Sequence, residues 1–308
     1  MLIKKNKLRA FCKGLRNLIR SPPAKPDNDD QLHRCSFYFN GWAVRYEMMA
    51  MAAFDLGFGL QPVRELLANS AWACIGLQRH TRSSVAYEAM RTLFWIGTCH
   101  DPRAAFEYAV GYLDTPEGRR GERSPRGFET PYPDDHFWHL ANALALFHAG
   151  DAPGLTAALD ELRSLPPRKQ WKYSDAWFKA MTALAVHCLT SPAPDPWELL
   201  RAVAEINQKK FARDHKDLFY EAWFGEIAMS FACAAQQRGW VVPEEDPHPS
   251  MPLALLRLPP MPVPDYPWWE PPAPPPELVK AIERVAKGLP AAQARKPALR
   301  RKRSGGQG

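Results

Sequence analysis

The sequence predicts an all-α protein: antiparallel helical hairpins in a repeat-like array, followed by a Pro-rich extended C-terminal segment. Three observations predict this. One phrase recurs, an apolar helical stretch, a short break carrying Asp with Pro close behind, then a second apolar stretch. The breaks read His100-Asp101-Pro102, Gly150-Asp151-Ala152-Pro153 and Pro194-Asp195-Pro196. Apolar residues recur at helical intervals along the body, and no alternating strand pattern of any length interrupts them. Finally, 14 prolines fall between Pro243 and Pro276, where a helix cannot run for long.

The repeated phrase has a local cause. An Asp side chain accepts from the orphan amides of a helix first turn, and Pro at the first helical position forfeits no hydrogen bond. Each break therefore starts a helix that packs back on the one before. The three Asp residues lie 50 and 44 residues apart, the period of a helical-hairpin array. Such arrays usually bind partners rather than transform substrates.

In chain order, a basic amphipathic helix comes first, with Leu8, Phe11, Leu15, Leu18 and Ile19 on one face, ended by Ser21-Pro22-Pro23. Its stripe suits packing on the body or loose attachment as an arm, and its charge also suits weak contact of residues 1–20 with an anionic membrane surface. A polar linker at 24–32 leads to predicted helices over 37–58, 62–78 and 83–97, the last with Tyr87, Met90, Leu93 and Phe94 facing inward. After Asp101-Pro102, the residues Ala105, Phe106, Ala109, Val110 and Leu113 line a fourth. Residues 115–131 break the pattern with four Arg, three Gly and no apolar side chain before Phe128, which predicts a long surface loop. Helices are expected over 134–149, 155–165, 171–189 and 197–206, then a long closing helix over 214–238 with Gly239 as its C-terminal cap. Within the Pro-rich stretch, 253–258 suits a single turn packing back. Residues 261–276 should be polyproline-like, with Trp268 and Trp269 as exposed candidates for docking onto the body. A short helix over 276–289 and a basic tail follow. The organisation read from this is an arm at 1–26, a body at 27–242, a Pro-rich extension at 243–276 and a helix with tail at 277–308.

Charge divides along the same lines. The chain carries +7 overall, but residues 1–26 hold +8 and residues 277–308 hold +7, so the remainder carries −8. The basic signal that would suggest nucleic acid belongs to the ends, and no specific nucleic-acid partner is read from it. An acidic body suits solubility and a basic partner. The six cysteines are scattered without a CxxC and lie mostly in apolar helical stretches, as expected in a reducing compartment. No signal peptide and no spanning segment is visible, so a soluble cytoplasmic protein is expected.

Signatures of chemistry are sparse. His136 and His139, three apart on one predicted helix, could ligate one metal ion, but a third ligand such as His148 is not pointed to by spacing. Asp134 and Asp135 just before them suit a helix start. Cys99-His100 and His187-Cys188 are neighbours that point about 100° apart on a helix, so neither forms a nucleophile–base unit. No GxSxG, HExxH, P-loop or GxGxxG occurs. Asp217 and Glu221 share a face that solvent explains. Glu226, among Phe224, Ile227 and Met229, suits a buried structural carboxylate paired with Arg45 or Arg91. No catalytic residue, metal or cofactor is assigned.

Two stretches carry a resemblance. One is Asp134-Asp135-His136-Phe137-Trp138-His139-Leu140-Ala141-Asn142-Ala143-Leu144-Ala145-Leu146-Phe147-His148-Ala149-Gly150-Asp151 with the helix after it. The other is Glu221-Ala222-Trp223-Phe224-Gly225-Glu226-Ile227-Ala228-Met229-Ser230-Phe231-Ala232-Cys233-Ala234, then Arg238-Gly239-Trp240 and Met251-Pro252-Leu253-Ala254-Leu255-Leu256. In order and spacing they resemble the Imm49 family of bacterial immunity proteins. The resemblance implies an all-α cytoplasmic protein, not an enzyme, encoded beside a polymorphic toxin gene, that protects the producing cell by binding the cognate toxin. The candidate partner-binding residues are Asp134 and Asp135, Glu244, Glu245 and Asp246 after the closing helix, and Trp268 and Trp269. The alternatives are a helical-repeat scaffold for another protein, or an enzyme using His136, His139 and the adjacent Asp pair.

Overall fold

The computed structural model describes residues 7–26, 32–82, 84–119, 136–167, 174–190, 195–214, 225–248 and 250–290. Among them every regular element is helical: α1 (Leu8–Arg20), α2 (Leu32–Asp55), α3 (Leu60–Thr81), α4 (Ala86–Cys99), α5 (Pro102–Leu113), α6 (His136–Ala149), α7 (Ala152–Ser164), α8 (Ser174–Thr190), α9 (Trp197–Asp214), α10 (Glu226–Gln237), a 3₁₀ turn (Leu253–Arg257) and α11 (Pro276–Ala286). No helix among the described residues is long and apolar enough to cross a membrane. All six cysteines are free and buried.

Two of the Asp breaks work as the sequence implies, with Pro in the first turn, and at the third the helix starts one residue later, at Trp197, with Asp195 still reaching its first amide. Asp101 accepts from the Ala104 amide at 3.0 Å, Asp151 from the Gly154 amide at 2.9 Å, and Asp195 from the Trp197 amide at 3.2 Å. Each cap contributes about 1 kcal/mol. The hairpins α4–α5, α6–α7 and α8–α9 fold back about these points. They do not stack simply in sequence order, because α4 is shared: it packs against α3, α5, α6 and α10.

The reason is composition. In α4 every residue from Thr92 to Cys99 is buried, and in α10 every residue from Glu226 to Ala235. Helices apolar all round belong inside. Small residues set their separation, since a Cβ on Gly97 would lie 2.5 Å from the Cys233 sulfur and 2.6 Å from its Cβ. Gly97→Ala should therefore cost about 1–3 kcal/mol by overpacking, despite alanine's better helix propensity. Urea melts of the variant read this directly. An unchanged midpoint would mean that α4 and α10 can part without cost.

Three elements differ from the sequence-based expectation. The closing helix does not begin at 214: α9 runs to Asp214, and α10 starts at Glu226 after Gly225, whose φ of +49° breaks helical continuation. A side chain at Gly225 would meet the Met251 side chain at 2.8 Å, so glycine supplies both the backbone conformation and the space. Residues 215–224 lie outside the described residues. In α5 the buried face is Ala105, Tyr108, Ala109 and Tyr112, while Phe106 and Val110 stay 50% and 43% exposed. That helix has more apolar residues than one face can bury. On α4, Tyr87 is likewise 43% exposed rather than inward.

The first and last helices close the molecule. Phe11, Cys12 and Leu15 of α1 and Leu278, Ile282 and Ala286 of α11 join the same core as the body, and α1 packs on α11. Between the 3₁₀ turn and α11 the chain runs without regular structure over 258–275. Leu258 (φ −70°, ψ 148°) and Pro275 (φ −56°, ψ 122°) at its two ends have polyproline-like angles.

Candidate functional site

The Pro-rich segment is a strap bound to an aromatic groove. The Met261 amide donates to the Cys99 carbonyl at 2.9 Å, and the Val263 amide to the second oxygen of Asp101, also at 2.9 Å. The Trp72 indole donates to the Tyr266 carbonyl at 3.1 Å, and the Tyr46 hydroxyl to the Pro272 carbonyl at 2.7 Å. The buried Arg64 guanidinium donates to the Pro259 carbonyl. Aromatic side chains donating to carbonyls of an extended Pro-rich segment are the usual way such segments are held.

The two tryptophans of the strap are only half-buried, but both are engaged within the chain. Trp268 stacks on Trp72 with centroids 6.0 Å apart, and the Arg79 guanidinium lies 5.1 Å above its ring. Trp269 packs against Tyr38 (5.3 Å), Phe39 (5.4 Å) and His80 (5.2 Å). Both tryptophans dock onto the body, as the sequence suggests: Trp269 fastens the strap, whereas Trp268 also lines a cleft.

That cleft has a volume of about 1020 Å³ and lies between α3, α5 and the strap. Trp72, Gln78 and Tyr108 are buried in its lining, and Gln78 donates to the Tyr108 carbonyl at 3.1 Å. Glu107 is clamped by Arg103 at 2.9 Å and Arg79 at 3.4 Å, an exposed arrangement worth little to stability. Phe106 and Val110, one turn apart on α5, also line it. Aromatic side chains, Arg and partly exposed aliphatics in one concavity are the composition of protein-binding surfaces.

The remaining candidates scatter. Glu244, Glu245 and Asp246 are exposed in the turn after α10. Burial pushes the Asp246 carboxyl upward, against the pull of the Leu253 and Ala254 amides. Asp134 and Asp135 lie outside the described residues, as does the predicted loop beyond Arg119. Its start is anchored, since Trp138 donates to the Glu117 carbonyl at 2.6 Å. His136 and His139 are both buried with separate neighbours. His136 lies against Phe178 (4.5 Å), and the His139 Nδ1 is 3.6 Å from Glu161. His148 stands nine residues on, about 13 Å along the helix axis, too far to complete a ligand set with His139. Among the described residues no group of three or more His, Cys, Asp or Glu is placed to hold a metal ion.

Among the described residues, a buried charged cluster joins three helices. Arg91 of α4 bridges Glu47 of α2 and Glu226 of α10, with its Nε 2.8 Å from Glu226. The sequence offered Arg45 or Arg91 as partner of Glu226; Arg91 fills the role. Arg45 instead donates to the Leu18 and Gly41 carbonyls at 2.9 and 2.8 Å, tying α1 to α2. Glu47 was not foreseen there. Burial, and then the neighbouring Glu226, push its carboxyl well above the usual range, while the two carboxyls hold Arg91 above its own. Perturbed groups of this kind occur in active sites and in structural networks alike. This cluster links core helices, and the guanidinium also covers the Tyr87 and Trp95 rings at 5.3 and 5.0 Å.

Both stretches that carry the family resemblance are core elements: α6 packs on α4, α5 and α7, and α10 on α4 and α8. The cleft lies on other helices. Comparison with known proteins finds no matching family model, no matching curated protein and no matching solved structure.

Proposed function

We propose that this chain is an immunity protein that holds a cognate bacterial toxin in a stoichiometric complex, using the cleft between α3, α5 and the strap as its contact surface. The observation that carries the toxin reading is the resemblance of residues 134–151 and 221–256, in order and spacing, to the Imm49 immunity family. The lining of the cleft supports its location: Phe106, Val110 and Trp268 supply apolar anchors, and Arg79 and Arg103 supply a charged rim. An inhibitor without turnover must occupy nearly every toxin molecule, so the complex has to be tight. The acidic body would steer a basic partner by long-range attraction, to which the exposed Glu244, Glu245 and Asp246 contribute.

The test is co-purification with the products of neighbouring reading frames, followed by growth protection. A one-to-one complex is expected. Phe106→Glu should weaken it about 30-fold, the scale of a central hot spot near 2 kcal/mol, while leaving the melting temperature almost unchanged. Reversing Glu244, Glu245 and Asp246 should slow association more than it speeds dissociation. Failure of every neighbouring product to bind or to be neutralised would overturn the toxin reading. A tight complex indifferent to Phe106→Glu would move the contact away from this cleft. A non-toxic protein bound in the same cleft would favour an interaction scaffold instead.

A further inference from the structure

The basic helices α1 and α11, far apart in sequence, meet in space. On α1 the cations Arg9, Lys13, Arg16 and Arg20 fall at i, i+4, i+7 and i+11, one face of the helix, and α1 contains no acid. The stripe is about 16 Å long at 1.5 Å per residue. On α11, Lys280, Arg284 and Lys287 fall at i, i+4 and i+7, the last just past the helix end. The stripes converge along the α1–α11 seam. Arg20 lies 2.6 Å from Glu283, whose carboxyl is held below its usual range first by Arg20 and further by Lys287 and Arg16. At the other end Arg9 lies against Gly288, about 3.1 Å from where a Cβ would sit. Those seven cations face two acids, Glu277 and Glu283, on the same helix pair.

We propose that this paired-end face binds the phosphate backbone of duplex nucleic acid without reading its sequence. Two features select the duplex among polyanions. The apolar stripes of both helices are already covered: Phe11, Cys12, Leu15, Leu278, Ala281, Ile282 and Ala286 are buried, so neither helix has a face left to insert into a bilayer. A polybasic patch is one membrane signal where stable anchoring takes two. Single strands are held by aromatic stacking, and the sole aromatic of the helix pair, Phe11, is buried. A duplex needs only cations at helical spacing, because affinity comes from released counterions. The inference is independent of the toxin reading, since it uses the opposite end of the charge distribution.

The experiment is fluorescence anisotropy of the full chain with labelled 24-base-pair duplexes of two unrelated sequences, beside vesicles of phosphatidylcholine with and without phosphatidylserine. Equal affinity for both sequences is expected. If about five phosphates are neutralised, affinity should fall about 500-fold between 50 and 200 mM salt. The double variant Lys13→Glu with Lys287→Glu should weaken binding at least tenfold with an unchanged circular dichroism spectrum. Lys209→Glu, on α9 in the acidic body, should not weaken it. If the reversal disturbs folding, Lys13→Gln with Lys287→Gln should still reduce the salt slope. The proposal is overturned by affinity insensitive to salt, by double variants that bind like the parent, or by binding to phosphatidylserine vesicles and not to duplex.

Discussion

Arg91→Ala is expected to destabilise the protein by about 3–5 kcal/mol at neutral pH, the cost of leaving buried carboxyls without their cation. Glu47 and Glu226 are both buried and come from helices far apart in sequence, so the guanidinium satisfies two elements at once. The pH dependence gives a second reading. The Glu47 carboxyl is raised in the folded protein, so the folded state holds a proton that the unfolded state releases. Its stabilising share is complete below the ordinary carboxyl range near 4.5 and declines as pH climbs from there toward the raised value, by at most about 1.4 kcal/mol per pH unit. Arg91→Ala should steepen this decline, so that the variant regains stability as pH falls toward 5. Glu47→Gln should flatten it and cost little, because the amide keeps a donor for Glu226 and carries no charge. Urea denaturation of the three proteins from pH 5 to 8 measures all of this. A loss below about 1 kcal/mol in Arg91→Ala would show that the cluster contributes nothing to holding α2, α4 and α10 together; a larger loss that does not shrink on acidification would show that Arg91 acts through packing and not through the charge of the carboxyls.

Trp72→Ala should cost a similar amount, about 3–5 kcal/mol, because the side chain is completely buried and its removal leaves a cavity. The loss should be read at a distance. Trp72 donates to the Tyr266 carbonyl and stacks on Trp268, so the strap loses its central fastening. Amide exchange of residues 261–268 should accelerate along with the drop in stability. Trp72→Phe separates the contributions. A smaller aromatic ring remains but the indole donor goes, which leaves the Tyr266 carbonyl without this partner and should cost about 1–2 kcal/mol for the lost bond, plus a smaller cavity term than Trp72→Ala. If exchange in the strap stays slow in Trp72→Ala, the segment is held by its other anchors, Asp101, Tyr46 and Arg64, and the tryptophan is only core.

What the sequence made legible was local. The Asp caps at 101, 151 and 195, the turn over Leu253–Arg257 and the all-helical body follow from spacing within a few residues. The pairing of Glu226 with Arg91 was legible because a carboxyl inside an apolar helix needs a cation, and few were at hand. Glu47 was not, because nothing local says that two carboxyls will converge on one arginine. The orientation of α5 was misread for a related reason. With eight apolar residues over two faces, periodicity cannot tell Phe106 and Val110 from Tyr108 and Tyr112. Burial of the tyrosines is decided by partners such as Ser84, which meets the Tyr108 hydroxyl at 3.0 Å. The cleft was invisible altogether, since its strap wall meets Trp72 across 194 residues of sequence. Asp101 shows the limit in one side chain: its role as a cap is written in the next residue, its hold on Val263 is not.

The strap has a consequence for how the protein is made. Synthesis runs from the N-terminus, so α2 and α3 emerge long before the residues that cover them. Until 259–275 leave the ribosome, part of the surface of Tyr46 and Trp72 that the native strap covers has no lid, and α1 lacks its packing partner α11. Contacts spanning most of the chain form late and slowly. A nascent chain stalled anywhere before residue 259 would therefore present a sticky aromatic flank, a natural target for a chaperone and a point where early termination leaves a product prone to aggregate.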